Sequence, residues 1–81
     1  MTDIKKSIRM FIVEEFRVND ANLKDEESLF DSGYLDSLGM VTLISFIEKK
    51  FNVVINPSEV SMNNFNTLNK IAALIKKKLG N

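Results

Sequence analysis

The sequence predicts a small all-α domain, because apolar residues recur at helical spacing in three segments and no two stretches could pair as strands. Intervals of three and four residues between apolar positions are typical of amphipathic helices. The one β-branched run, Val53 to Ile55, has no partner strand elsewhere in the chain, and a lone strand is not stable in water. At 81 residues we expect a single domain over residues 1–81.

The first predicted helix runs from about Thr2 to Phe16, with Thr2 or Asp3 as its cap. Turn-forming residues from Val18 to Asp20 end it. From Asn19 to Asp36 no period is sustained, which predicts a long loop that is either functional or held by its own apolar side chains. The apolar face of this helix comprises Ile4, Ile8, Phe11, Ile12 and Phe16.

The second predicted helix runs from Ser37 to about Phe51, with Gly33 as the turn residue before it. Asp36 stands at the N-cap, where a carboxylate accepts hydrogen bonds from open backbone amides, so Ser37 falls at the positive end of the helix dipole. At about 100° per residue, one arc of the helix faces the core. This arc comprises Met40, Leu43, Ile44, Ile47 and Phe51.

Leu38 and Val41 lie well off this arc, on the side that also carries Thr42 and Ser45. One interpretation buries every apolar residue of a central helix, and we favour it for Phe46. For Leu38 and Val41 we favour exposure, because a small domain has little left to pack against the first turn of the helix. An exposed apolar pair beside a serine would form a docking surface.

The rest of the chain predicts a connector and two further helical pieces. Phe51 to Ile55 is expected to be an extended connector. Asn56 to Glu59 is typical of a helix start, with proline at the first position and a capping box closed by glutamate, and Met62 to Asn64 should interrupt this short helix. Thr67 should cap the last helix, and Gly80 should end it. We assign to the core Phe65 and, on the last helix, Leu68, Ile71, Leu74, Ile75 and Leu79.

The composition excludes several classes of function. Eleven basic and eleven acidic residues give zero net charge, which does not predict a nucleic-acid binder. Because the N-terminus has no signal-like run and no apolar stretch reaches the roughly 20 residues of a membrane span, we expect a cytoplasmic protein. Acidic residues outnumber basic ones between Asp20 and Asp36. They are either solvated loop residues or a negative field that attracts a basic partner.

Ser37 lacks the partner residues that a catalytic serine needs. The chain has no histidine and no cysteine, and the residues around Ser37 do not form the G-x-S-x-G turn of a hydrolase. As an attachment site the same serine is well placed, because a helix N-terminus stabilises an attached anion. The sequence therefore indicates that something is attached at Ser37.

Three runs carry a family resemblance: Phe30-Asp31-Ser32-Gly33, Leu35-Asp36-Ser37-Leu38 and the apolar helix ending Glu48-Lys49-Lys50-Phe51. Together they resemble the acyl carrier and peptidyl carrier proteins over nearly the whole chain. The resemblance implies a small four-helix bundle with a long first loop and a short third helix.

The resemblance also implies a cofactor and partners. A 4′-phosphopantetheinyl transferase would move the arm of coenzyme A onto Ser37, and the arm's thiol would carry an acyl or aminoacyl group as a thioester. Asp36 would help to orient the transferase. Leu38 and Val41, with Thr42 and Ser45 on the same face, would contact the transferase, the loading enzyme and a downstream synthase. We expect a monomer that binds no metal and catalyses nothing itself.

The second helix departs from fatty-acid carriers, which are typically strongly acidic there and have an acid two residues after the modified serine. This chain has Gly39 at that position and Lys49 and Lys50 at the helix end. Weaker steering toward basic enzymes indicates a specialised role. Leu35-Asp36-Ser37-Leu38-Gly39 and Phe65-Asn66-Thr67 resemble stand-alone carriers of polyketide or nonribosomal pathways, or the D-alanyl carrier of teichoic acid loading, and a divergent fatty-acid carrier is a further alternative. The alternatives to the polyketide, nonribosomal and fatty-acid pathways are this D-alanyl carrier for teichoic acid, or a helical adaptor in which Leu38 and Val41 bind another protein and Ser37 is at most a capping residue or a phosphorylation site.

Overall fold

Four α-helices make up the fold in a computed structural model that describes residues 3–80. They are α1 (Ile4–Phe16), α2 (Ser37–Phe51), α3 (Met62–Phe65) and α4 (Leu68–Lys78). Short 3-10 turns lie at Asp20–Asn22 and Pro57–Glu59, and no strand occurs within residues 3–80. The predicted all-α class, the long first loop and the short third helix are confirmed.

Contacts between side chains fix the relative direction of α1 and α2. The rings of Phe11 and Phe46 stack with centroids 4.1 Å apart, and Phe16 at the end of α1 lies beside Gly39 at the start of α2. Helices α1 and α2 are therefore antiparallel. Lys5 near the start of α1 donates to Asn69 in the first turn of α4 over 2.9 Å, which ties these two helices together.

Apolar residues from every helix and from the long loop build one core. The expected apolar positions of α1 and α2, and those of α4 apart from Leu79, lie in it or against it. Phe46 is half-buried rather than enclosed, because it stacks on Phe11 at the edge of the core. Ile44 and Phe51 are also only partly buried. The fully enclosed side chains are Phe65, Ile8, Ile12, Leu23, Leu29, Leu43, Ile47, Leu68, Ile71 and Ile75.

The helix ends follow the predicted caps. The Asp3 carboxylate accepts from the Lys6 amide at 3.0 Å, so Asp3 is the cap of α1, and Thr2 lies outside the described residues. The Thr67 hydroxyl accepts from the Lys70 amide at 3.1 Å. Gly33 and Gly80 have φ values of +83° and +89°, a conformation that glycine adopts without strain.

Two predictions about the C-terminal part were wrong. The helix predicted to start at Asn56 is only a single 3-10 turn. The Glu59 carboxylate closes this turn by accepting a hydrogen bond from the Asn56 amide at 2.9 Å. The chain is extended at Val60 and Ser61, and the predicted interruption, Met62 to Asn64, is instead the start of α3. Phe65 explains this, because a helical turn there buries its ring completely.

The second error concerns Leu79, which was assigned to the apolar face of α4. Its side chain is 44% exposed; Leu79 is the C-cap residue, one position past Lys78, the last residue of α4. Lys78, by contrast, lies 2.6 Å from the Glu59 carboxylate. This ion pair ties the end of α4 to the Pro57–Glu59 turn.

Ion pairs to α1 and hydrogen bonds to α4 hold the start of the long loop, in what we call the Arg9 cluster (Lys5, Arg9, Asp20, Asp25 and Asn69). Arg9 donates to Asp25 at 2.7 Å and to Asp20 at 3.2 Å. Lys5 donates to Asp25 at 3.1 Å. The hydrogen bond from Arg9, and next that from Lys5, holds the pKa of the Asp25 carboxyl below its ordinary value.

The Arg9 cluster predicts a loss of stability in acid. Since the pKa of Asp25 is lower in the folded chain than in the unfolded chain, its contribution is complete above the unfolded value of about 3.9 and is lost as the pH falls through the folded value. We expect urea midpoints of wild type and Asp25→Asn to differ at pH 7 and to converge towards pH 3. Asp31→Asn, at an exposed carboxylate of the same loop outside the cluster, is the control. A constant difference between wild type and Asp25→Asn across this range would contradict the assignment.

Candidate functional site

Ser37 is the first residue of α2 and its side chain is exposed. The loop before it is anchored from within. Leu29 is fully buried and its amide donates to the Asn66 carbonyl at 2.7 Å, while the Leu35 amide donates to the Leu29 carbonyl at 3.0 Å. Because Leu35 is also buried, the chain reaches the helix start from a fixed position. The serine is therefore held rigidly and still open to solvent.

Asp36 caps α2 as the sequence predicts. Its backbone is extended, and its carboxylate oxygen Oδ1 accepts from the Gly39 amide at 2.7 Å. Its carbonyl accepts from the Met40 amide at 2.8 Å. The remaining open amides of the first turn give this end of α2 a partial positive charge. The Ser37 hydroxyl thus stands where a phosphodiester would be stabilised.

The surroundings of Ser37 do not supply a nucleophile's machinery. The sequence has neither histidine nor cysteine, and residues 3–80 contain no cluster of carboxylates suited to a metal ion. Buried side-chain polar atoms in the same range all have hydrogen-bond partners. The chemistry that this serine offers is that of a reachable hydroxyl.

An exposed apolar pair lies next to the serine. Leu38 and Val41 are 79% and 62% exposed, as the sequence predicts. Thr42 and Ser45 are exposed as well, and the Thr42 hydroxyl donates back to the Leu38 carbonyl at 3.3 Å. We call these four residues the α2 face. It presents apolar and uncharged groups beside Ser37.

The acidic loop divides into two parts. Asp20 and Asp25 are neutralised by the Arg9 cluster, and Glu26 accepts a hydrogen bond from Asn69. Asp31 and Asp36 are exposed and lie within the last six residues before Ser37. The loop acids therefore serve mostly to fix the loop, and the negative field in front of the serine is smaller than their number suggests.

One residue of the site could not be found from sequence. Gly39 is buried beneath the first turn of α2, against the ring of Phe16. The sequence shows only that an acid is missing there. Phe16 and Gly39 are brought together by the packing of α1 against α2. A single sequence carries no signal for this packing.

Comparison with known proteins identifies the class to which this fold and site belong. The family model described as "Phosphopantetheine attachment site" matches residues 6–75. The chain belongs to this family of carrier proteins.

Its relatives include two named "D-alanyl carrier protein", from Streptococcus suis (strain 05ZYH33) and Streptococcus sanguinis (strain SK36). They are 42% and 41% identical over 69 residues, which is 85% of this chain and 86% of each relative. A chain in a solved structure described as "Crystal structure of FAD-dependent dehydrogenase" is 32% identical with a TM-score of 0.75. The match covers 84% of this chain and 97% of that one.

Membership in this family fixes the prosthetic group as covalently attached 4′-phosphopantetheine. The site fits such a group, because it offers an exposed hydroxyl at an electropositive helix end with an apolar flank. Proteins of this family generally do not catalyse reactions themselves, and they work with phosphopantetheinyl transferases and loading enzymes. Among residues 3–80 no helix is both long and apolar enough to traverse a bilayer.

Proposed function

We propose that Ser37 carries the 4′-phosphopantetheine arm and that the loaded protein is an aminoacyl carrier for D-alanine. The observation that carries the first part is the exposed Ser37 hydroxyl at the Asp36-capped end of α2. The two D-alanyl carrier relatives, each matched over 85% of this chain, support the second part. This gives weight to the D-alanyl alternative over a polyketide, nonribosomal or fatty-acid role.

Attachment of the arm at Ser37 needs no base from this chain. The Ser37 Oγ attacks the β-phosphorus of coenzyme A, and the pyrophosphate bond breaks to release 3′,5′-adenosine diphosphate. The hydroxyl proton leaves to a base of the transferase. When bound, the arm supplies a terminal thiol that forms a thioester with the aminoacyl group. Asp36 holds the first turn in place, and its exposed carboxylate faces the transferase.

The α2 face is proposed as the docking surface for the transferase and the loading enzyme. Leu38 and Val41 supply apolar area that is exposed to solvent in the free protein. Thr42 and Ser45 keep the surface uncharged. Such a face relies on shape and apolar contact rather than on long-range steering. The α2 face therefore suits a dedicated loading enzyme with an apolar docking site better than it suits an enzyme with a basic docking patch.

Sequential loading tests the function. The purified protein is incubated with coenzyme A and a broad-specificity transferase, then with ATP, D-alanine and a D-alanine-activating ligase, and its intact mass is measured after each step. We expect one phosphopantetheine and then one alanyl group, with much less product from L-alanine. If the arm is attached but D-alanine is not, the cargo proposal is wrong and the carrier role stands. Acyl transfer from acyl-coenzyme A would instead favour a lipid or polyketide pathway.

Val41→Asp should separate docking from folding. Val41 is 62% exposed, so the substitution removes contact area and adds a charge without opening the core. We expect kcat/KM for loading to fall about 10- to 100-fold, in line with about 1–3 kcal/mol at an interface hot spot, at unchanged melting temperature. Val54→Asp, at an equally exposed valine outside the α2 face, is the matched control. Equal loading rates for both variants would contradict the docking assignment.

A further inference from the structure

The absence of a side chain at position 39 has a specific place in the structure. A Cβ on Gly39 would lie 3.1 Å from Cε1 of Phe16, 3.2 Å from Oδ1 of Asp36 and 3.3 Å from Cδ1 of Leu35, whereas ordinary contacts fall at 3.4–4 Å. The three neighbours belong to α1, to the cap and to the loop. The glycine is thus the point where these three parts converge under the first turn of α2.

Each of the three neighbours is held by other contacts. Leu35 is buried in the core. The Asp36 carboxylate is fixed by its hydrogen bond to the Gly39 amide itself. The ring of Phe16 packs edge-to-face on Phe11, with centroids 6.1 Å apart at 86°, and Phe11 stacks in turn on Phe46. This row of rings, which we call the aromatic seam, presses against the turn that bears Ser37.

We propose that Gly39 is a positioning residue for Ser37: the missing side chain lets the aromatic seam and the Asp36 carboxylate reach the same turn. In this chain, where the Phe16 ring already fills the space beside residue 39, a larger residue pushes the carboxylate off the amide of residue 39 and tilts the turn that presents the hydroxyl. An acid at this position would also place a second carboxylate beside Asp36, where like charges repel. This inference rests on the proposed attachment at Ser37.

The test is the kinetics of arm attachment in Gly39→Ala and Gly39→Asp, at varied carrier concentration. We expect kcat to fall about tenfold in Gly39→Ala and further in Gly39→Asp, with KM within about twofold, because the docking face is intact and only the reacting hydroxyl is misplaced. Exchange of the residue 39 amide, corrected for its intrinsic rate, should speed up. Phe16→Leu combined with Gly39→Ala should recover most of the lost kcat, and this double variant also serves if Gly39→Ala alone does not fold.

Leu74→Ala controls for stability, because it removes a buried side chain of α4 without touching the α2 turn. Wild-type kcat in Gly39→Ala, an equal fall in Leu74→Ala, or no recovery in the double variant would each overturn the inference. If wild type itself takes no arm at Ser37, the proposed function fails. The amide exchange of residue 39 then decides the positioning role, and unchanged exchange in Gly39→Ala would overturn it.

Discussion

Ser37→Ala is expected to abolish arm attachment completely. The sequence contains other serines, but Ser37 alone combines an exposed hydroxyl with the capped end of a long helix. Intact-mass measurement after incubation with coenzyme A and a transferase should show one added phosphopantetheine in wild type and none in the variant. Because the substitution is at an exposed position, we expect the free energy of unfolding to change by about 0.5 kcal/mol or less.

Ser58→Ala is the matched control, since Ser58 is also exposed but lies in the Pro57–Glu59 turn. It should be modified at the wild-type rate. An adduct on Ser37→Ala would move the attachment site elsewhere. If the cellular function survives Ser37→Ala but not Val41→Asp, the protein acts as an adaptor and the carrier proposal fails.

Phe65→Ala should have the largest effect on stability, about 3–5 kcal/mol. The ring is fully buried, and its burial is what stabilises the helical turn of α3. Natural domains have a total stability of about 5–15 kcal/mol, so such a loss would leave a small domain near its unfolding threshold. Urea denaturation followed by circular dichroism measures the change in midpoint.

Met62→Ala provides the comparison within the same helix. Met62 is 53% exposed, so its truncation should change the free energy of unfolding by about 0.5 kcal/mol or less. Similar midpoints for Phe65→Ala and Met62→Ala would show that α3 is not anchored through its phenylalanine.

The cap and the exposed pair of α2 could be predicted from sequence because both depend on local rules. An aspartate before a helical apolar pattern marks the N-cap, and angles along the helix place Leu38 and Val41 off the core arc. The same local rules failed at α3. A run of asparagines has weak helix propensity, but burial of Phe65 outweighs it, and propensity alone cannot show that burial.

The fastening of the long loop was also beyond a sequence-based prediction. Ser28 bonds to Asn66 and Glu26 to Asn69, across separations of 38 and 43 residues. Nothing in the loop itself indicates these partners, because polar residues without a period are equally typical of solvated loops. The excess of acids was visible, but the share neutralised by Lys5 and Arg9 depends on the packing of α1 against the loop.

The contacts that hold the loop also affect how quickly enzymes can bind the protein. Its side-chain bonds to helices in the described range run to α1 and the start of α4, so the outer side of α2 stays clear without any segment having to move aside. We therefore expect an enzyme to bind without a gating step, at the orientation-limited rates of about 10⁵–10⁷ M⁻¹s⁻¹. For a shuttle that must visit one enzyme after another, traffic is then governed by encounter and release rather than by internal rearrangement.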